Sequence, residues 1–68
     1  MRLITYQALL ANQQNIDQVK RGRGAVERMG GRVEMAPPTK LGIILVILHL
    51  PEGISPEQFF PGLPFYPM

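Results

Sequence analysis

The sequence predicts a single small α+β domain whose strands and helices follow the order βαββα(β). Three observations lead to this prediction. The chain has 68 residues and no cysteine, so it holds at most one domain and no disulfide. Its residues are 46% hydrophobic and only 18% charged, which is an apolar composition for so short a chain. Its apolar residues follow the period of a strand, then of a helix, then of strands again.

A strand is predicted over residues 2–10, because branched, aliphatic and aromatic side chains dominate this segment. Successive side chains of a strand point to opposite faces of a sheet. The two faces are Leu3, Thr5 and Gln7 on one side and Ile4, Tyr6 and Ala8 on the other.

A helix is predicted over residues 14–29, after a polar break that offers capping side chains. Its apolar stripe has four members, Ile16, Val19, Val26 and Met29. Gly22 and Gly24 interrupt the helix, although each glycine costs about 1 kcal/mol relative to alanine in a helix interior. We therefore expect a close approach of the helix to the sheet, or a kink, at these glycines. Gly30 and Gly31 then end the helix.

Two further strands follow, and the second of them is the strongest element of the sequence. Residues 32–36 alternate charged and apolar side chains, as a half-buried strand does. After a turn at Pro37 and Pro38, residues 41–50 are almost entirely apolar and rich in isoleucine. A run that is apolar on both faces is typical of a central strand. A buried helix is the alternative, but the bracketing prolines and branched side chains favour the strand.

The C-terminal part of the chain is punctuated by prolines. Ser55 followed by Pro56 and Glu57 is typical of the start of a second helix. Pro61 ends this helix after about one turn, because proline cannot continue it. Residues 61–68 are expected to form an extended C-terminal tail or an edge strand.

This order of elements is typical of a ferredoxin-like sandwich, an antiparallel sheet that carries two helices on one face. Residues 1–68 then form one domain, with the first and third strands in the centre of the sheet. Two short helices cover only one face of the sheet. We therefore expect the other face, with Ile43, Leu45 and Ile47, to bind a protein partner or a second copy of the chain.

Residues that could carry catalysis or hold a metal are few. The only serine, histidine and aspartate are Ser55, His49 and Asp17. Ser55 and Asp17 each fit a role at the start of a helix, so we expect no catalytic triad. His49 at the end of the apolar strand fits a structural role. With no cysteine and five scattered carboxylates, we expect no enzyme activity, no metal site and no cofactor.

The basic residues cluster in the first helix, and the chain has a formal net charge of +2. Lys20, Arg21, Arg23 and Arg28 are candidates for phosphate contacts with a nucleic acid. A solvated helix face is the alternative, and the aromatic residues that stack on bases are sparse. We therefore do not expect nucleic acid to be the main partner.

No segment is typical of a targeting peptide or a membrane span. The longest apolar run, residues 41–48, is far shorter than the roughly 20 residues that a spanning helix needs. Polar residues interrupt the N-terminal segment before a signal-peptide core can form. A cytoplasmic protein without a membrane span is therefore expected.

Short motifs along most of the chain resemble a known family. They are Met29-Gly30-Gly31-Arg32-Val33, Leu50-Pro51-Glu52-Gly53-Ile54-Ser55-Pro56-Glu57 and Pro61-Gly62-Leu63-Pro64-Phe65-Tyr66. In this succession the chain is similar to the subtilisin propeptide-like proteinase inhibitors, which are ferredoxin-like domains of about this size.

The resemblance implies an inhibitor or folding chaperone of a subtilisin-like serine protease. In that family the exposed sheet face packs on two protease helices, and the C-terminal tail lies in the active-site cleft. Carried over to this chain, the tail is Phe65, Tyr66, Pro67 and Met68, with Met68 in the primary specificity pocket. Two alternatives remain open: a small assembly subunit that dimerises or docks through its apolar sheet face, and a weak nucleic-acid binder.

Overall fold

In the computed structural model, which describes residues 2–68, a four-stranded antiparallel sheet packs against one long helix. The elements are β1 (Leu3–Leu10), α1 (Gln13–Arg28), β2 (Arg32–Met35), β3 (Ile44–Pro51), a 3₁₀ turn (Pro56–Gln58) and β4 (Tyr66–Pro67). The strand order is β2-β3-β1-β4, and each pair of neighbours is antiparallel. β1 and β2 are thus parallel with β3 between them, which is consistent with the predicted ferredoxin-like fold.

The two central strands are β1 and β3, as predicted. Their pairing runs without a break from Leu3 opposite Pro51 to Leu10 opposite Ile44. β3 begins later than predicted because the turn before it extends to Gly42, which has a φ of 78°. Only glycine adopts such a φ without a steric penalty, so the apolar run starts in the turn and not in the strand.

Local signals set both ends of α1. At its start, the Asn12 side chain accepts a hydrogen bond from the backbone N–H of Gln14 at 2.8 Å. At its end, the N–H of Gly31 donates to the carbonyl of Val26 at 3.0 Å, and Gly30 has a φ of 90°. This is a Schellman motif, and it confirms the predicted helix end.

The two glycines inside α1 differ in their surroundings. A Cβ added to Gly22 would lie 2.5 Å from a ring carbon of Phe60. A close approach therefore exists at Gly22, but the neighbour is the buried Phe60 ring and not the sheet. A Cβ added to Gly24 would meet only the end of the Arg28 side chain, at 3.5 Å. No packing contact requires glycine at that position.

The core lies between α1 and one face of the sheet. Its buried residues are Ala8, Leu10, Ile16, Val19, Val26, Val33, Val46, Leu48, Leu50, Phe60 and Leu63. Met29, which the helical spacing placed on the apolar stripe, is instead the C-cap residue and is 45% exposed. The stripe ends at Val26 because α1 ends before its next turn.

The expected second helix is only a single 3₁₀ turn. Ser55 and Gln58 form the capping box that starts it, as the sequence indicates. The turn cannot lengthen into an α-helix because Pro61 has no N–H to donate to the carbonyl of Glu57. Instead, Phe60 inserts into the core with no exposed surface. The second covering element of the core is therefore a loop with a buried aromatic ring.

Within residues 2–68, no helix is both long enough and apolar enough to cross a membrane.

Candidate protein-binding surface

One face of the sheet is left uncovered by every other element of residues 2–68. Alternate residues of the strands form this face, since the intervening ones point into the core. We call it the open face. It consists of Leu3, Thr5, Gln7 and Leu9 on β1, Arg32 and Glu34 on β2, Leu45, Ile47 and His49 on β3, and Tyr66 on β4.

The apolar half of the open face lies toward the C-terminal end of β1. Leu9 and Leu45 are directly opposite each other, and Ile47 is opposite Gln7. Leu9 is 65% exposed, whereas Leu45 and Ile47 are half-buried. Leu45 and Ile47, which the sequence predicts for the binding face, therefore lie on the open face. Leu9 follows from the same alternation as Leu3, Thr5 and Gln7 but is absent from the predicted set.

Ile43 lies just before β3, outside the strand. Its backbone N–H donates to the side-chain hydroxyl of Thr39 at 3.2 Å, and its own carbonyl accepts from the N–H of Thr39 at 2.9 Å. These bonds close the turn between β2 and β3. Ile43 is half-buried there, at the end of the sheet.

A shallow cavity of about 260 Å³ opens on this apolar half. Its lining consists of Gln7, Ala8, Leu9, Leu45, Pro64 and Tyr66. None of these side chains is charged. The cavity therefore favours an uncharged, apolar occupant.

The other half of the open face carries a chain of polar contacts across three strands. The hydroxyl of Thr5 lies 3.1 Å from Nδ1 of His49, and Nε2 of His49 lies 3.3 Å from Oε1 of Glu34. Arg32 pairs with the same carboxylate at 2.8 Å. This chain of contacts links side chains of β1, β3 and β2 on the open face.

Sequence reasoning did not connect Thr5 or Glu34 with His49. The residues it considered with His49 have other partners. The hydroxyl of Ser55 accepts from the N–H of Glu57 at 3.2 Å, and the carboxylate of Asp17 accepts from the side-chain amide of Gln13 at 2.9 Å. Ser55 caps the 3₁₀ turn as expected, whereas Asp17 lies beyond the first turn of α1, which holds no acidic residue, so the expected role of Asp17 at the helix start is wrong. Only the strand register could have identified the actual neighbours of His49.

The C-terminal residues are held at the edge of the sheet. Tyr66 and Pro67 pair with β1, and the N–H of Met68 donates to the carbonyl of Thr5 at 2.9 Å. Phe65 is half-buried, and its ring centroid lies 5.7 Å from that of Phe60. Tyr66 and Met68 are 65% and 70% exposed. The end of the chain is thus an edge strand with exposed side chains beside the open face.

The basic cluster lies in the other layer of the molecule. Lys20, Arg21, Arg23 and Arg28 are all exposed along α1. Arg23 is 4.0 Å from the carboxylate of Glu27, one helical turn away. The four candidates for phosphate contacts therefore share one helix, but the helix that carries them also carries acidic groups.

No group of three or more His, Asp or Glu side chains within residues 2–68 is arranged to hold a metal ion.

Comparison of this chain with protein-family models, with curated proteins and with solved structures finds no match. The resemblance to the subtilisin propeptide-like inhibitors therefore stays a prediction. What can be said of function rests on the open face, the cavity and the C-terminal edge.

Proposed function

We propose that this chain is a protein-binding module that docks through its open face and the adjoining β4 edge. One observation carries the proposal: exposed Leu9 and Tyr66 lie beside Leu45 on a sheet face that no helix of residues 2–68 covers. Contiguous apolar surface of this kind generally marks an interaction site.

The free energy gained by burying the exposed side chains indicates how much of the open face a partner has to cover. Leu9, Tyr66 and Met68 are 65%, 65% and 70% exposed. At about 1.5–3 kcal/mol for each fully buried side chain, covering these three contributes about 3–6 kcal/mol. Association costs about 4–15 kcal/mol. The three side chains therefore do not suffice, and a stable partner has to cover the rest of the open face as well.

The most specific form of the proposal names a subtilisin-like serine protease as the partner. Three features support it: the strand order, a sheet open on one face, and a C-terminal edge beside that face. A protein that covers the open face also reaches Tyr66, Pro67 and Met68. Only a short pairing holds these residues to β1, so their release into a cleft breaks few hydrogen bonds. Phe65 stays anchored by its packing against Phe60.

Inhibition of a purified subtilisin, measured with a chromogenic peptide substrate, tests this form of the proposal. The full chain is expected to inhibit competitively. Met68→Ala removes the side chain proposed for the specificity pocket and is expected to weaken inhibition by about 10- to 100-fold. Met29→Ala is the matched control, because Met29 is an exposed methionine at the end of α1 in the other layer.

Two results would count against a protease partner. One is a full chain that does not slow the enzyme at any concentration tested. The other is equal inhibition by Met68→Ala and Met29→Ala, which would show that Met68 does not enter the cleft.

A second candidate is self-association through the open face, supported by its distribution of charge. Arg32 and Glu34 carry opposite charges on the same face, beside the apolar residues. A two-fold interface can pair such groups reciprocally between copies. A stable dimer needs about 800 Å² from each partner, which is under a fifth of the 4465 Å² surface of this chain.

Analytical ultracentrifugation tests self-association. Leu9→Asp places a charge in the apolar half and is expected to convert a dimer into a monomer. Leu41→Asp is the control, because Leu41 is 84% exposed in the turn before β3. A monomer at all concentrations of the unaltered chain would exclude this candidate.

A further inference from the structure

The outer edge of β1 is only partly covered by β4. Gln7 pairs with Tyr66, and the carbonyl of Thr5 accepts from Met68. Backbone groups of a strand point alternately to its two edges, so the N–H and C=O of Leu9 point to this same edge. Within residues 2–68, no backbone group pairs with Leu9 on that side. A free donor and a free acceptor therefore lie just beyond the end of β4.

Proline chemistry explains why β4 stops there. Continuing the register of β4 would place Pro64 opposite Leu9. Pro64 has no N–H to donate, so it cannot complete the pair. The segment turns away instead, and the N–H of Phe65 donates to the carbonyl of Leu63 at 2.9 Å. The position opposite Leu9 is left open by the sequence of this chain.

The cavity of about 260 Å³ lies at this position. Leu9, Leu45, Pro64 and Tyr66 line it, and Leu9 and Tyr66 are each 65% exposed. Residues directly opposite each other in a sheet place their side chains on the same face. A residue paired with Leu9 would therefore place its own side chain on the open face, at the cavity.

We propose that this edge of β1 binds an extended peptide segment of a protein partner by strand addition. One residue of the segment pairs with the N–H and C=O of Leu9, and its large uncharged side chain occupies the cavity. The inference rests on the proposed docking function and names the segment that the docking surface recognises. Leucine, methionine and phenylalanine fit the apolar, uncharged lining.

Size argues against other occupants. Small-molecule sites usually measure about 300–1,000 Å³, so the cavity suits one side chain better than a cofactor. A stable protein interface needs about 800 Å² from each partner, and a single residue pair at Leu9 does not provide that area. The occupant is therefore a segment of a partner that also covers other parts of the open face.

Titration of the ¹⁵N-labelled full chain with short capped peptides, followed by NMR, tests the proposal. The first probe is acetyl-Ser-Thr-Leu-Thr-Ser-amide. The second replaces its leucine by aspartate, and the third carries an N-methyl group on the leucine. At millimolar concentration the first peptide is expected to shift the amide signals of Leu9 and Tyr66 and to slow hydrogen exchange at Leu9. The other two are expected to bind at least about tenfold more weakly. The aspartate peptide loses the apolar side chain that occupies the cavity, and the N-methyl peptide loses the N–H that donates to the carbonyl of Leu9.

A protein variant supplies the matching control. Tyr66→Ser removes an exposed wall of the cavity and is expected to weaken the first peptide by about tenfold or more. Leu41→Ser, in the turn before β3, is expected to leave its binding unchanged. Both positions are exposed, so neither substitution empties the core.

Each unfavourable outcome has a distinct meaning. No shift at Leu9 with millimolar peptide overturns strand addition, as does equal binding of the N-methyl peptide. A Leu9 amide that is already protected in the free chain also overturns it. If the peptides fail while subtilisin inhibition or dimerisation through the open face succeeds, docking stands and only the strand-addition site falls. If the peptides bind while both of those tests fail, the strand-addition site stands, and a subtilisin-like protease and a second copy of the chain are excluded as the partner.

Discussion

Alanine at Gly24 is expected to stabilise the protein, whereas alanine at Gly22 is expected to destabilise it. Both glycines lie inside α1, two residues apart. Helix propensity favours alanine over glycine by about 1 kcal/mol at either position. The two substitutions therefore share one favourable contribution and differ only in what the new methyl group contacts.

The contacts set the expected difference. At Gly24 the new Cβ meets only the flexible end of the Arg28 side chain at 3.5 Å, so the gain of about 1 kcal/mol is kept. At Gly22 it would lie 2.5 Å and 3.1 Å from two ring carbons of Phe60. That ring is fully buried and cannot swing aside. Overpacking of this kind costs about 1–3 kcal/mol, so Gly22→Ala is expected to lose about 0–2 kcal/mol overall.

Urea unfolding followed by far-UV circular dichroism measures both changes in the free energy of unfolding. In thermal unfolding, 1 kcal/mol corresponds to a shift in Tm of about 4–8 °C for a domain of this size. The double variant Gly22→Ala with Phe60→Leu isolates the contact. The free energy of unfolding of this double variant should be higher than the two single changes together predict, because the smaller side chain makes room for the methyl group.

Equal stabilisation by both alanine variants would refute the reasoning. So would a double variant whose effects simply add, because the Phe60 ring would then not be what requires glycine at position 22.

Three further predictions concern the packing and the open face. Gly31→Ala would drive its Cβ against the backbone carbonyl oxygen of His49, and we expect a loss of about 3 kcal/mol or more in urea unfolding. A loss below that of an ordinary surface substitution would contradict this close approach. Phe60→Ala removes a fully buried ring, and a loss of about 3–5 kcal/mol is expected, seen as an early and broad thermal transition. An unchanged Tm would show that the loop does not close the core. Thr5→Val removes the hydroxyl beside Nδ1 of His49 and should cost about 1 kcal/mol. In NMR, the chemical shift of Nδ1 of His49 should change, whereas that of Nε2, which faces Glu34, should not. Unaltered shifts at both nitrogens would mean that Thr5 makes no such contact.

Much of the secondary structure could be predicted because its signals are local. Asn12 before α1, Gly30 after it and Ser55 before the 3₁₀ turn all act on backbone groups a few residues away. The alternation in β1 also assigns its faces correctly, because successive side chains of a strand always point to opposite sides.

The second helix was predicted to last about one turn, and a single 3₁₀ turn forms there in place of an α-helix. Ser55 and Pro56 correctly start a turn, but a start does not determine a length. Pro61 removes a donor from the next turn, and Phe60 gains more by entering the core than by continuing a helix.

The candidate site, too, could be predicted only in part. Its two apolar members on β3, Leu45 and Ile47, follow from a run that is apolar on both faces. The contacts of His49 with Thr5 and Glu34 do not, because those residues are 44 and 15 positions away. They meet only because three strands pair in one register. The cavity likewise depends on where β4 stops along β1.

By itself, then, the sequence determined an α+β chain with a strongly apolar central strand and more apolar surface than its short helices cover. These properties follow from periodicity, caps and proline positions, which act over a few residues. The tertiary structure alone decided that Phe60 enters the core after the 3₁₀ turn and that, within residues 2–68, the N–H and C=O of Leu9 are left without a partner beside a cavity. Both depend on contacts between residues far apart in the chain, and local propensity carries no information about which of those contacts form.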